Sequence, residues 1–108
     1  MIVTNTDFIP GREIEEILDI ARGSTVRARN IGRDISAILK SIGGGEISEY
    51  TDLMAKAREQ AIDRMIADAD ELGADAIINV RFTTANVMQG MSEILAYGTA
   101  VRLKDEHV

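Results

Sequence analysis

A helical stripe runs from Tyr50 to Leu72, and two stretches of alternating residues follow it directly. Tyr50, Leu53, Met54, Ala57, Ala61, Met65, Ala69 and Leu72 recur at the three- and four-residue spacing of one helix face, widened by Ile62 and Ile66. Ser48 stands where an N-cap belongs, and Gly73 where a left-handed residue ends a helix. The other face is charged, with Glu59, Asp63, Asp70 and Glu71, and Asp52 lies four residues before Lys56 as a favourable pair. After Gly73, Ile78, Val80 and Phe82 alternate with Asn79, Arg81 and Thr83, which predicts a strand over 76–87. Leu95, Tyr97, Thr99, Val101 and Leu103 predict a second strand, and Gly90 in the polar loop between them makes a hairpin. The alternation leaks, because Ile77 and Ile94 are apolar on the face expected to point outward. A two-layer monomer needs one apolar sheet face, so the leak points to a partner burying the second.

Composition bounds the rest. The chain has 108 residues, 45% of them hydrophobic, enough to bury a core. The first and last 54 residues each carry nine acidic and six basic side chains, and no linker composition divides them, so residues 1–108 read as one domain. No apolar stretch nears the ~20 residues that cross a bilayer. The N-terminus lacks the basic start and apolar core of a signal peptide, so a cytoplasmic protein without membrane contact is expected. The absence of cysteine removes disulfides, thiolate metal sites and cysteine nucleophiles. The one histidine, His107, stands next to the last residue of the sequence, where chains fray. Catalysis through His or Cys is therefore not expected. A net charge of −6 and four scattered aromatics argue against nucleic acid as a partner.

The N-terminal third is ambiguous. Ile2 to Ile9 reads as a strand broken at Pro10-Gly11. Between Arg12 and Arg22, the spacing of Ile14, Ile17, Leu18 and Ala21 favours a helix, although Ile14, Leu18, Ile20, Val26 and Ala28 share one strand parity. Asn30 is a good N-cap for Ile31, Ile35, Ile38, Leu39 and Ile42, which predict a helix over 31–42 ended by Gly43.

The segment Ala28-Arg29-Asn30-Ile31-Gly32-Arg33-Asp34, the run Gly43-Gly44-Gly45, Tyr50, Ala57-Arg58 and Ala61 come in an order that resembles the YbjQ family. The resemblance continues through Leu72-Gly73-Ala74-Asp75-Ala76-Ile77 to Tyr97-Gly98-Thr99-Ala100-Val101, and so spans nearly the whole chain. It implies an α+β fold of the dodecin-like group, strand-strand-helix-helix-strand-strand, with two helices on one face of an antiparallel sheet. It also implies a homopentameric ring and a heavy-metal-binding label. On this ground the helical reading of 13–22 gives way to a long second strand, from Ile14 to about Arg29, kinked near Gly23.

Two placements for a ligand stand out, and no cofactor can be named. Between Arg22 and Lys40 five basic residues face one acid, an inversion of sign in an acidic chain. Arg29 and Arg33 flank the helix start at Asn30, where free N–H groups and the helix dipole favour a small anion, and Gly44 and Gly45 allow close backbone approach. Ion pairing of Arg33 and Asp34 with the acidic second helix accounts for the same charges without a ligand. Met88 and Met91 form the one close thioether pair, a donor type that soft metals select. Methionine also serves simply as adaptable packing against a neighbouring subunit. The functional expectation is an oligomeric protein that binds a metal ion or small anion for storage, sensing or sequestration. The alternative is a structural or partner-binding ring with no ligand of its own.

Overall fold

The computed structural model describes residues 1–28 and 48–105. Within them the order is β1 (Ile2–Val3), β2 (Ile14–Ala28), α1 (Ser48–Glu71), β3 (Ala76–Met88) and β4 (Met91–Leu103). The strands form one sheet in the order β1-β3-β4-β2, with α1 packed on one face. The sheet is mixed rather than antiparallel: β1 runs parallel to β3, while β3–β4 and β2–β4 are antiparallel. One helix lies among the described residues, and the helix expected over 31–42 falls outside them. No helix among the described residues is long and apolar enough to cross a membrane.

The helix ends as its sequence foretells. Gly73, at a φ of 79°, lets its N–H bond the Asp70 carbonyl at 3.0 Å, while Ala74 N–H reaches back to Ala69 at 3.1 Å. This paired arrangement closes the last turn. Asp75 then takes over: its carboxylate accepts the Leu103 N–H at 2.9 Å, and its own N–H donates to Val101 at 2.9 Å. The Leu-Gly-Ala-Asp stretch thus turns the chain from α1 into β3 and locks it against β4.

The core beneath α1 is made of small residues. Ala57, Ala61, Met65 and Ala69 meet Ala21, Ile77, Ile94, Ala96 and Ala100, all essentially buried. Buried Thr25 donates its hydroxyl to the Ala57 carbonyl at 2.8 Å. At Gly23 a Cβ would overlap the backbone of Ala61, Arg64 and Met65, so strand and helix touch main chain to main chain. This reverses the expected facing of the hairpin. Ile77 and Ile94 point inward to the helix, whereas Leu95, Tyr97, Val101 and Leu103 line the opposite face. The physical reason is distance: a close-packed alanine face on α1 fits Ala96, Gly98 and Ala100 and would clash with a row of large side chains.

Among the described residues, the face away from α1 is covered at one end only. There Ala76, Ile78, Val101 and Leu103 are buried beneath Ile9 and Ile14. The N-terminal strand is shorter than the expected 2–9, because Thr4 and Thr6 bond each other and Thr6 also bonds the Phe8 carbonyl. Its backbone nevertheless follows β3 as far as Val80, whose N–H donates to Thr4 at 3.0 Å.

Residues 14–28 form a strand, as the family resemblance implies and against their local helical spacing. No register shift falls at Gly23, where the kink is expected: pairing with β4 is continuous from Ile20 to Ala28. The irregularities lie earlier, between Ile14 and Glu16 and between Ile17 and Asp19. A third lies in β3, where Asn79 and Val80 together stand opposite the single residue Gly98 between the pairs Ile78–Thr99 and Arg81–Tyr97. Asn79 adopts a φ of 54° there, a conformation that asparagine tolerates better than most residues. The bulge flips the parity of β3, so Phe82 pairs with Ala96 and shares the helix-side face instead of continuing the row of Ile78.

Candidate functional site

The tip of the hairpin carries the site that the described residues build. Met88 and Met91 are opposed across Gln89-Gly90, with Gly90 at a φ of 77° closing the turn. Directly opposed residues of an antiparallel pair share a face, with Cβ atoms about 4.5–5.5 Å apart. The structure therefore brings together the two methionines that the sequence singled out. Met88 is 61% exposed and Met91 half-buried.

Beside this pair lies a hollow of about 510 Å³. Thr84, Asn86 and Ser92 form its strand side, with Met88, Gln89, Gly90 and Met91 at the tip. Ser92 donates its hydroxyl to the Asn86 amide oxygen at 3.3 Å. The remaining wall is Met54, contributed by the second turn of α1. Sequence reading assigned Met54 to the helical core stripe, and it does pack at the margin of that core. Its second role was invisible, because residues 54 and 88 become neighbours only when α1 lies over the far end of the hairpin.

Among the described residues, those lining the hollow carry no charge. Among the described residues no three His, Cys, Asp or Glu side chains gather at a spacing that could hold a metal. The donor set that exists is thioether sulfur with amide and hydroxyl oxygens. Such a set suits a soft, singly charged cation and is poor for zinc, which is held by thiolate, imidazole or carboxylate.

The other placement, Arg29, Asn30 and Arg33 with Gly44 and Gly45, lies outside the described residues. The structure does show where that segment departs: Ala28, the last residue of β2, is opposed to Met91. Of the basic residues preceding it, Arg27 is engaged by Gln60, to which its Nη2 donates at 2.6 Å.

A second concavity, of about 380 Å³, sits on the face without the helix and is lined by Ile20, Arg22, Thr83, Leu95 and Tyr97. It is shallow and apolar, and it borders exposed Ile17 and Val26.

Among the described residues, Lys104 is the titratable group whose surroundings shift it. A hydrogen bond and the charge of Glu13, with Nζ and Oε2 3.0 Å apart, hold its ammonium above the ordinary lysine range. The pair ties the end of β4 to the segment before β2 and is remote from the hairpin tip in sequence and sheet position.

Known proteins resemble this chain along nearly its full length. A relative from Archaeoglobus fulgidus, named "UPF0145 protein", is 56% identical over 104 residues, covering 96% of each chain. One from Halorubrum lacusprofundi with the same name is 57% identical and covers 96% of this chain and 100% of its own. Among solved structures, a Pediococcus pentosaceus protein described as having unknown function, of the DUF74 family, superposes with a TM-score of 0.69. It covers 96% of this chain and 98% of its own, and at 18% identity it supports the fold alone. The family model described as "Putative heavy-metal-binding" matches residues 1–104, and the chain belongs to that family, YbjQ.

Proposed function

We propose that this protein is a homo-oligomeric, non-enzymatic binding protein of the cytoplasm that holds a metal ion or a small anion. The observation that carries the reading is the apolar sheet face away from α1. Ile17 is 70% exposed there and Ile20 53%, with Val26 and Tyr97 beside them. Apolar surface left in water forgoes about 25 cal/mol per Å² of possible burial, and contiguous apolar patches mark interaction surfaces. A further copy of the chain would cover this one. The shape of the protomer supports the same reading. Its radius of gyration is 18.0 Å, where a compact chain of about 100 residues has about 13 Å. Five copies closed into a ring, as the family resemblance implies, would bury that face without leaving a free end.

The binding part of the reading is supported by the family's description and by the thioether-lined hollow. Arg29, Asn30, Arg33, Gly44 and Gly45 remain the proposed anion site, on the sequence argument given above. A ring with no ligand is the alternative, favoured by the observation that methionine at a hairpin tip also suits packing against a neighbour.

Sedimentation equilibrium at micromolar concentration, paired with native mass spectrometry of protein purified from its source cells, tests the proposal. The expected result is a pentamer carrying extra bound mass. A stable monomer overturns the assembly, and a ring without bound mass selects the alternative. The non-enzymatic part fails if a measured hydrolytic or redox activity is lost on deleting His107.

A further inference from the structure

We infer that the concavity on the sheet face away from α1 is a site for an amphiphilic carboxylate, an acid group on an unbranched aliphatic tail, with Arg22 holding the acid. The inference goes beyond the binding reading above, since it concerns another place and another class of ligand, and one chain supplies all its residues.

Three observations converge on it. The first is placement. Ile20, Arg22, Thr83, Leu95 and Tyr97 line a concavity of about 380 Å³. The strand registers put the same five on one face, in three successive rows: Ile20–Thr99–Ile78, Arg22–Tyr97–Arg81 and Ser24–Leu95–Thr83. Arg22 and Tyr97 are directly opposed, which sets their Cβ atoms about 4.5–5.5 Å apart. The second is the state of Arg22. Its backbone N–H donates to Asp68 of α1 at 3.0 Å, so the main chain that carries the side chain is anchored. Among the described residues nothing accepts a hydrogen bond from its guanidinium. Arg64 and Arg81, by contrast, donate to the Ser24 and Asn5 carbonyls at 2.6 and 2.9 Å. A guanidinium left in that state offers a carboxylate two parallel N–H donors. The third is the floor. Ile20 and Tyr97 are exposed and Leu95 half-buried, so apolar surface stays in water beside a cation. A purely inorganic anion leaves that surface wet, and a purely apolar ligand leaves the charge unmatched. An aliphatic carboxylate answers both, with its tail on Ile20 and Leu95 and the hydroxyls of Thr83 and Tyr97 as further donors. Small-molecule sites run from about 300 to 1,000 Å³, so this one suits a short tail. A further copy of the chain covering this face would roof the concavity and bury the tail more fully.

Octanoate is the probe, titrated calorimetrically into the full chain and followed by ¹³C labels on the isoleucine and leucine methyls. Saturation should shift the Ile20 and Leu95 methyls and leave Ile77 and Ile94, buried beneath α1, in place. Each methylene withdrawn from burial costs about fourfold in affinity, so hexanoate should bind about fifteenfold more weakly. Octanol and octylammonium, with the same tail and no carboxylate, should bind at least about tenfold more weakly than octanoate. Arg22→Gln should weaken octanoate by at least about tenfold, the worth of a hydrogen bond to a charged group. Arg58→Gln, which removes an exposed guanidinium from α1, should leave the affinity unchanged. Retention of the circular dichroism spectrum and melting temperature checks that both variants fold, and the comparison of ligands needs only the wild type.

Each other result counts against the inference in a distinct way. Octanol binding as tightly as octanoate, or an equal loss in Arg58→Gln, shows unspecific uptake and overturns the role of Arg22. Shifts confined to Ile77 and Ile94 move the ligand to the other face and overturn the placement. A fall in sedimenting mass in ligand-free Arg22→Gln shows that the guanidinium holds a neighbouring copy, which overturns the ligand and leaves the assembly reading standing. Failure of the wild-type protein to bind octanoate at millimolar concentration removes the site, while sedimentation and bound mass still decide the reading above.

Discussion

Gly23 and Gly11 look alike in a sequence but differ in what they permit. Gly23 lies where β2 touches the α1 backbone, and a methyl group there has no side chain to push aside, only main chain of Ala61, Arg64 and Met65. Gly11 has a φ of 77° and open space around it. Gly23→Ala should therefore cost about 3 kcal/mol, the upper part of the usual overpacking range, because helix and strand must move apart. Gly11→Ala should cost about 1 kcal/mol, from the left-handed backbone alone. Urea unfolding of both variants checks this, and equal losses would show that the helix does not sit so close. At Lys104 the raised pKa has a defined sign. The stabilising contact with Glu13 is fully present below the ordinary lysine range and is lost as pH rises through the folded value, in strongly alkaline solution. Both partners are exposed, so the readout is local: NMR titration of the Lys104 ammonium should give a lower pKa in Glu13→Gln. An unchanged value would mean that the pair is not formed in solution.

The elements show why residues 14–22 mislead. Ile14, Ile17 and Ile20 pair with Leu103, Val101 and Thr99, so all three share the face away from the helix at a spacing of three. A regular strand would set that spacing to two. The two irregularities each insert a residue, and the resulting period of three imitates a helix. The misleading signal is thus a real feature of the strand. The free edge of β2 is guarded by α1. Asp68 accepts the Arg22 N–H at 3.0 Å, and Arg64 donates to the Ser24 carbonyl at 2.6 Å. Exposed strand edges invite pairing with other chains, and side chains laid on the edge from a helix prevent it. Arg64→Ala should lower stability by about 1 kcal/mol, the net worth of one such bond. Asp68→Ala should speed amide exchange at Arg22 while leaving β3 amides unchanged. Exchange at Arg22 equal to the wild type would show that the edge is protected in another way.

At the scale of the whole molecule, two faces of one sheet are managed differently. One is sealed by α1 through alanines and glycine; the other is sealed at one end by Ile9 and Ile14 and left open around Tyr97. A charge placed in the open part tests what covers it. Ile20→Glu should leave the secondary structure intact, since the side chain is already 53% exposed, and should shift the sedimentation profile towards monomer. An assembly of unchanged mass would move the interface elsewhere, for example to the edge of β3 beyond Val80. The hairpin tip should respond separately, because Met88 and Met91 lie at the far end of β3 and β4 from the Ala76–Leu103 region.

The sequence alone was enough for the long helix with its Gly73 stop, the hairpin after it and the exclusion of cysteine chemistry, because each depends on local spacing or on inventory. The pairing of Met88 with Met91 was legible for the same reason, since a tight turn brings its flanks together. What only the folded chain decided were relations between distant residues. The parallel β1, the face of the sheet chosen by α1 and the approach of Met54 to the hairpin tip are set by packing distance. A helix face of alanine must seat against the small residues of the sheet. That fit places Ile77 and Ile94 inside, leaves Tyr97 and Ile20 outside, and carries a core methionine to the edge of a hollow it shares with two others.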